Sequence, residues 1–567
     1  MPSQLDLTLD AIMDKLVAPG APAETVPFVR NGVEMPALKN APPSLAHYFA
    51  HYCNQHKDAT FLVDGGCRLT FGETWAAAMA VAAGLKHIHG MQKGDRVGIA
   101  ARNSANWIVL YMGIIMGGGC ATLLNGFSNG EELADAIDLV ESKLVFADLG
   151  RAARLKGIEH GGKLVLFDHD CNPAEGLKET WGDPATVNPL DVGPDDLCTV
   201  LYTSGSTGRS KGAWSDHRGV VHGAMSYALQ SLMAFTYLDS SGDAPTTQAC
   251  ALLAVPLFHV TGEVPLLLQS YALGRKLVLM PKWDAEEALR LIQDEKVSYF
   301  AGVPLMTYEM ATHPNRDQYD VSSCSGWAAG GAPRPVEHVA KIKDAFPTGN
   351  PLLGYGLTET NGVGCGNFNE NYLAKPSSTG KPSRPLVDLA ILDDNGKPVP
   401  QGQIGEVCMR SVCNFMGYYN NPEATEAAFT DDMYFRTGDL GRVDEDGYLY
   451  IVDRKKDIII RGGENITCIE VEEAIYAHDD VAECSVFGLP DERYGEIVGA
   501  VFLAKPGTGL TEEALRDFLS TRLASFKQPV VYWQADETLP RLGTQKVDKR
   551  SLREKYTKEY ADMIDAA

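Results

Sequence analysis

The feature that most restricts how this chain can fold is a repeated switch of hydrophobic period. Between Ala59 and Phe146 short β-rich runs alternate with helical ones. "RVGIAA" reads as a strand, "WIVLYMGIIM" as a buried helix, "ATLL" as a strand, "GEELADAIDLVE" as an amphipathic helix and "KLVFAD" as the next strand. The alternation returns in "KLVLMP", "DAEEALRLIQDEK" and "VSYFAGVP". Strands separated by helices demand right-handed crossovers, which predicts an α/β fold with parallel-rich sheets covered on both faces. Ligands of such sheets sit at the carboxyl ends of the strands.

A chain of 567 residues exceeds what one hydrophobic core supports, so more than one domain is expected. The texture changes after about Gly380. "IGEVCMR", "MYFRTGDL" and "GYLYIVD" are short alternating strands, and Asp446-Gly447 suits a hairpin turn, which predicts a β-rich subdomain. After "DRKKDIIIRGGENIT" come helix "IEVEEAIYAH", strands "CSVFGL" and "VGAVFLA", helix "TEEALRDFLSTRL" and strand "VVYWQA". These predict a small α+β domain at the C-terminal end.

The formal charge of −24 repels nucleic acid and anionic membranes, so an anionic ligand must be captured by local groups. The 12 cysteines stand singly, without metal-ligand or disulfide spacing, and fit reduced, mostly buried thiols. The N-terminal stretch lacks a basic region followed by an apolar block, which predicts no signal peptide and a cytoplasmic location. "WIVLYMGIIMGGGCATLL" (Trp107–Leu124) is uncharged, but Gly117, Gly118 and Gly119 interrupt it. A buried helix, a glycine turn and a buried strand are expected there rather than a transmembrane segment.

"LYTSGSTGRSKGA" (Leu201–Ala213) is composed as a loop. It follows the strand-like "LCTVLY" and precedes the helical "HRGVVHGAMSYALQSLMA", so a strand–glycine loop–helix phosphate site is predicted. Gly205 and Gly208 would let the backbone approach an anion, Ser204, Ser206 and Thr207 would add hydroxyl donors, and Lys211 compact positive charge. A Walker A loop is excluded because Ser210 precedes the lysine. The dinucleotide fingerprint fails because Gly354-x-Gly356 is followed by Glu359 where glycine is required.

"YTSGSTGRSKG" resembles the phosphate loop of the adenylate-forming superfamily, which includes acyl-CoA synthetases, luciferase and peptide-synthetase adenylation domains. Further stretches match in the expected order: "PLFHVTG", "AAGGAP", "GYGLTET", "YFRTGDL", "IVDRKKDIIIRGGENI" and "LPRLGTQKV". The resemblance implies a large N-terminal domain over residues 1–453, a hinge at 454–456 and a small mobile lid over 457–567. It implies an ATP-dependent acyl-CoA synthetase using Mg2+ and coenzyme A, with the carboxylic acid, ATP and CoA as small-molecule partners. A ligase that loads a carrier protein or stops at the acyl-adenylate, and a catalytically silent nucleotide or acyl-CoA binding protein, remain as alternatives, and a homodimer stays open.

The resemblance also implies roles. The glycine loop would hold the β- and γ-phosphates, and Thr203 and Glu359 a magnesium ion. Tyr355, in the stretch containing Gly356, would stack on adenine, with the backbone of Gly331, Ala332 and Pro333 on its other side. Thr358 would bond the α-phosphate, Asp439 the ribose diol, and Arg454 the ribose or phosphate side. Lys546 would bridge the carboxylate and the α-phosphate. Lys456 matches the hinge, and Gly462 and Gly463 would border a pantetheine tunnel too narrow for a side chain.

His259 stands where amino-acid-activating relatives carry Asp, which favours an ordinary organic acid. His259, Trp327, Gly330, Gly331 and Val363 suggest a roomy apolar acyl pocket for a medium- or long-chain fatty acid or a bulky aryl or alicyclic acid. Ser210, Gln545 and Thr467-Cys468 depart from the family pattern, the last on a face expected to meet CoA.

Overall fold

The computed structural model describes residues 2–170, 172–204, 210–242, 247–332, 334–542 and 546–565. Two large sheets form the body. The seven-stranded sheet runs Gly417–Tyr418, Ser210–Asp216, Leu197–Ser204, Cys120–Leu123, Arg96–Ala100, Leu144–Ala147, Lys163–Leu166, with parallel pairing from Leu197–Ser204 outward. The nine-stranded sheet has a parallel centre of Asn350–Tyr355, Gly326–Gly330, Tyr299–Gly302, Cys250–Leu253 and Lys276–Leu279. Largely parallel strands with helical crossovers are what the alternating periods require.

The stretch Trp107–Leu124 folds as expected. Ser104 caps the helix Ala105–Met116, every residue of which is buried; the chain turns at Gly117–Gly119, with Gly118 at φ +85°, and enters the buried strand Cys120–Leu123. Its apolar surface is satisfied by protein. Among the described residues no helix is long and apolar enough to cross a membrane.

Later strands also follow the pattern. Asp388–Leu392, Gly405–Arg410, Phe435–Val443 and Leu449–Arg454 form an antiparallel four-stranded sheet, and Gly447, at φ +84°, turns the last hairpin. From Ile459 onward a five-stranded sheet is packed by Cys468–Tyr476, Glu512–Ser520 and Lys549–Asp565. Its two hydrophobic clusters draw their buried residues only from this part of the chain.

The glycine loop differs from expectation. The chain leaves Leu197–Ser204 and returns antiparallel as Ser210–Asp216, with Lys211 opposite Thr203, so the loop joins two strands. The helix His217–Ser241 begins only after the second strand, where the Asp216 side chain accepts from the Gly219 amide at 2.7 Å. Its N-terminus lies a strand length, about 20 Å, from the loop. "SKGAWSD" has little intrinsic strand preference; pairing with Leu197–Ser204 imposes the conformation. The dipole of that helix is therefore too far away to serve an anion at this loop.

Trp327 is also corrected. It is fully buried on the face of the nine-stranded sheet shared with Phe300, stacks on Phe346 at 3.9 Å, and so is a core side chain rather than a wall of an acyl pocket. Trp327→Ala is expected to cost about 3–5 kcal/mol of unfolding free energy, measurable by denaturant titration, with substrate range unchanged.

Candidate active site

The candidate residues gather at the carboxyl ends of the central strands of the nine-stranded sheet. Asn350–Tyr355 delivers Tyr355, whose hydroxyl donates to Asp439 Oδ2 at 2.6 Å. Arg454 Nε donates to Asp439 Oδ1 at 3.2 Å across the hairpin that pairs these two residues. The buried Asp439 carboxylate thus has one partner on each oxygen and lone pairs left to accept a diol. Gly356 is obligatory for space: a Cβ there would stand 2.0 Å from the Gly362 carbonyl oxygen.

The turn Thr358–Thr360 carries Thr358 and Glu359. Glu359 is buried, and the Tyr418 hydroxyl donates to its Oε1 at 2.9 Å. Tyr418 is held opposite Ala213 on the glycine-loop hairpin, and the Lys211 ammonium lies 4.7 Å from its ring centroid. Ammonium, ring and carboxylate are therefore linked by successive contacts from hairpin to turn. Burial lifts the Glu359 carboxyl above its usual range despite the Tyr418 bond and the more distant Arg454 and Lys211 charges. Among the described residues no cation contacts this carboxylate, an environment that suits a hard divalent ion.

Lys546 reaches the same place from the C-terminal part of the chain. A bridge between Arg541 and Val547 and a 2.8 Å bond from the Leu542 amide to the Lys546 carbonyl close its turn. A Cβ on Gly331, which sits at φ +76°, would stand 3.3 Å from Lys546 Cε, 3.5 Å from Nζ and 3.9 Å from Thr261 Oγ1. Burial, reinforced by Arg454 and opposed by Asp439, lowers the Lys546 ammonium to about 8.

His259 caps the short helix Val260–Gly262; its Nδ1 accepts from the Thr261 amide at 3.3 Å and lies 3.1 Å from Thr261 Oγ1. Burial and the nearby Lys546 hold it down at about 3, so it is neutral, and an accepting Nδ1 assigns its proton to Nε2. Gly330 is half-buried on the adjoining strand, and Ala332 follows Gly331. Val363 is buried in a cluster with Cys365 and Met409, against which Tyr355 packs. Gly205, Ser206, Thr207, Gly208, Pro333 and Gln545, and the Ser204 side chain, lie outside the described residues.

Other candidates are not part of this group. Lys456 is exposed in the turn after Leu449–Arg454. Gly462 and Gly463, at φ +60° and +92°, turn the hairpin between Ile459–Arg461 and Glu464–Ile466, and a Cβ on Gly463 would meet nothing within 4 Å. Backbone conformation, not crowding, calls for glycine there in this arrangement. Cys468 is buried: its amide donates to Asp453 and its thiol points at the Asp457 carbonyl, so it does not present a surface to CoA. Sequence reasoning missed Tyr418 and Thr261, which carry no signal beyond their neighbourhood.

The model of the AMP-binding enzyme family matches residues 49–419, and that of the AMP-binding enzyme C-terminal domain residues 470–546. A long-chain-fatty-acid–CoA ligase of Bacillus subtilis is 32% identical over 539 residues, 89% of this chain and 93% of its own. A feruloyl-CoA synthase of Amycolatopsis is 32% identical, covering 88% and 96%. The crystal structure of ATP-bound MatB from Rhodopseudomonas palustris superposes with a TM-score of 0.80 at 29% identity, over 91% of this chain and 99% of that one.

Proposed function

The chain belongs to the AMP-binding enzyme family and is an AMP-forming acid–CoA ligase, and we propose that it activates a hydrophobic carboxylic acid, a fatty acid or a bulky aryl or alicyclic acid. The observation that carries this reading is the placement of Lys546 beside Gly331 and Thr261, at the end of the strand Gly326–Gly330 that pairs with Asn350–Tyr355, the strand that carries Tyr355 and leads to Thr358.

In this reading the acid's carboxylate attacks the α-phosphorus of ATP and pyrophosphate leaves. Two anions must meet, so positioning and charge neutralisation are the main tasks. The Lys546 ammonium lies between carboxylate and α-phosphate and gains most as negative charge spreads in the transition state. His259 offers its Nε2 proton to the carboxylate without adding net charge. Asp439 takes the ribose hydroxyls, Arg454 steadies Asp439, and Tyr355 covers the base opposite Gly331 and Ala332. The glycine-loop hairpin and Lys211 hold the leaving phosphates. Glu359 and Thr203 would hold magnesium, which when bound neutralises phosphate oxygens and eases departure of pyrophosphate.

The second half-reaction brings the CoA thiol to the acyl-adenylate. We assign the hinge to residues 454–456, between a body of residues 1–453 and a lid of 457–567. Rotation there would withdraw Lys546 and turn the Gly462–Gly463 hairpin towards the body. Pyrophosphate release and hydroxamate formation over a panel of acids, with and without CoA, test the proposal. Acyl-CoA with AMP from an apolar acid is expected; no pyrophosphate release from any acid overturns it.

A further inference from the structure

We infer that the Tyr299 ring, clamped by Arg275, is the closed end of the acyl chamber and limits the acid to a reach of about ten carbons. The inference rests on the reading of the site as an acid-activating centre.

Strand register identifies the chamber face. Tyr299 lies opposite Gly326 and Ala301 opposite Ala328, while Gly330 lies opposite Gly354. Residues paired in parallel strands point to the same face, and the face alternates along the strand. Tyr299, Gly326, Ala328 and Gly330 therefore share one face, and Phe300 and Trp327 the other. The facing wall is the helix His217–Ser241 and the turn after His259: a Cβ on Gly362 would stand 3.5 Å from Tyr227 Oη and 3.8 Å from Pro265 Cδ. Tyr299 and Tyr227 are both half-buried although they sit on an interior strand and a packed helix, and burial raises both phenols. Gln269 links the two sides, donating to the Tyr227 carbonyl at 2.9 Å and accepting from the Arg275 that lies over Tyr299, and in this inference the space between them is the acyl recess.

The recess is blocked at Tyr299. A Cβ on Gly326 would stand 2.8 Å from Tyr299 Cδ2 and 3.4 Å from Leu352 Cδ1, so the ring lies across the strand there. The Arg275 guanidinium sits 5.2 Å from the centroid of that ring. Arg275 is itself fixed: it donates to Ser270 Oγ at 3.0 Å, to the Leu266 carbonyl at 3.2 Å and to Gln269 Oε1 at 3.2 Å. The π-helical turn Glu263–Leu268 leaves the carbonyls on which this anchor depends. Swinging Tyr299 aside would strip a buried cation of its aromatic partner.

The strand is also a ruler. From Gly330, beside the mouth where Lys546 enters, to Gly326 under Tyr299 the chain rises about 13 Å at a parallel-strand repeat. An extended chain advances about 1.2 Å per bond, which gives roughly ten carbons. Short to medium acids and compact ring-bearing acids fit; hexadecanoate does not.

The test is kcat/KM for straight-chain acids from hexanoate to hexadecanoate, read as pyrophosphate release with ATP, magnesium and CoA. Wild type is expected to fall about tenfold or more between decanoate and hexadecanoate. Tyr299→Ala should raise the hexadecanoate-to-decanoate ratio by about tenfold or more, while Tyr299→Phe, which keeps the ring, should leave the profile unchanged. Ala328→Leu, which fills the middle of the recess, should lower decanoate relative to hexanoate by about tenfold and decides the matter if Tyr299→Ala does not fold. Equal use of decanoate and hexadecanoate by wild type, or an unshifted profile in folded Tyr299→Ala and Ala328→Leu, overturns the chamber end while leaving acid activation standing. Absence of pyrophosphate release with every acid removes both.

Discussion

Lys546→Ala lowers acyl-adenylate formation by about a hundredfold to a thousandfold, the loss of one preorganised donor worth about 3 kcal/mol to the transition state. Thioester formation from supplied acyl-adenylate and CoA is expected to be largely retained, because the proposed rotation withdraws the lysine for that step. Single-turnover assays of the two half-reactions measure both, and equal loss in each contradicts the alternating arrangement. A pH profile follows from the same residue. With its ammonium lowered to about 8, the side chain is charged below that pH and neutral above it. In the proposed mechanism adenylation needs the charge, so kcat/KM, which reports the free enzyme, is expected to fall as pH rises through about 8. Bound triphosphate raises the lysine again, so kcat falls at higher pH than kcat/KM.

Glu359→Gln separates activity from stability. With Glu359 as the proposed magnesium ligand, transition-state stabilisation for adenylation is expected to fall by about 3 kcal/mol or more on loss of its charge, and raising magnesium is expected to rescue it only in part. The fold is not weakened. A carboxyl whose folded-state pKa lies above its usual 4.5 holds its proton more tightly when folded, so wild type loses stability as pH climbs past 4.5. The glutamine has no charge to desolvate and still accepts from Tyr418. At pH 7 the variant therefore melts at the same temperature as wild type or higher. A marked drop in melting temperature with intact adenylation overturns the assignment of Glu359 to the metal.

Much of the architecture was readable because it depends on local period and punctuation. The buried helix Ala105–Met116, the glycine break and the strand Cys120–Leu123 follow from the order of apolar residues and glycines alone. So do the Asp446-Gly447 hairpin and the alternating helices and strands after Ile459. The helix Lys549–Asp565 was not read; it is strongly polar, and its place is set by Leu552 and Tyr556 packing with Phe487 and Leu489. The second strand of the glycine-loop hairpin was invisible for a similar reason, since "SKGAWSD" becomes a strand only by pairing.

Residue types and their order along the chain determined which chemistry this protein is equipped for: a loop of amide, hydroxyl and ammonium donors, a turn bearing an acid, and a lysine far away in sequence. They could not determine which side of a strand each residue faces, because a shift of one position exchanges the two faces. Only the packed sheets decided that Trp327 belongs to the core while Tyr299 faces Gly326 across the other surface. Nor could composition show that Tyr418 joins Lys211 to Glu359, or that Cys468 is closed off beside Asp453. Those contacts join residues remote along the chain, and long-range packing alone brings them into range.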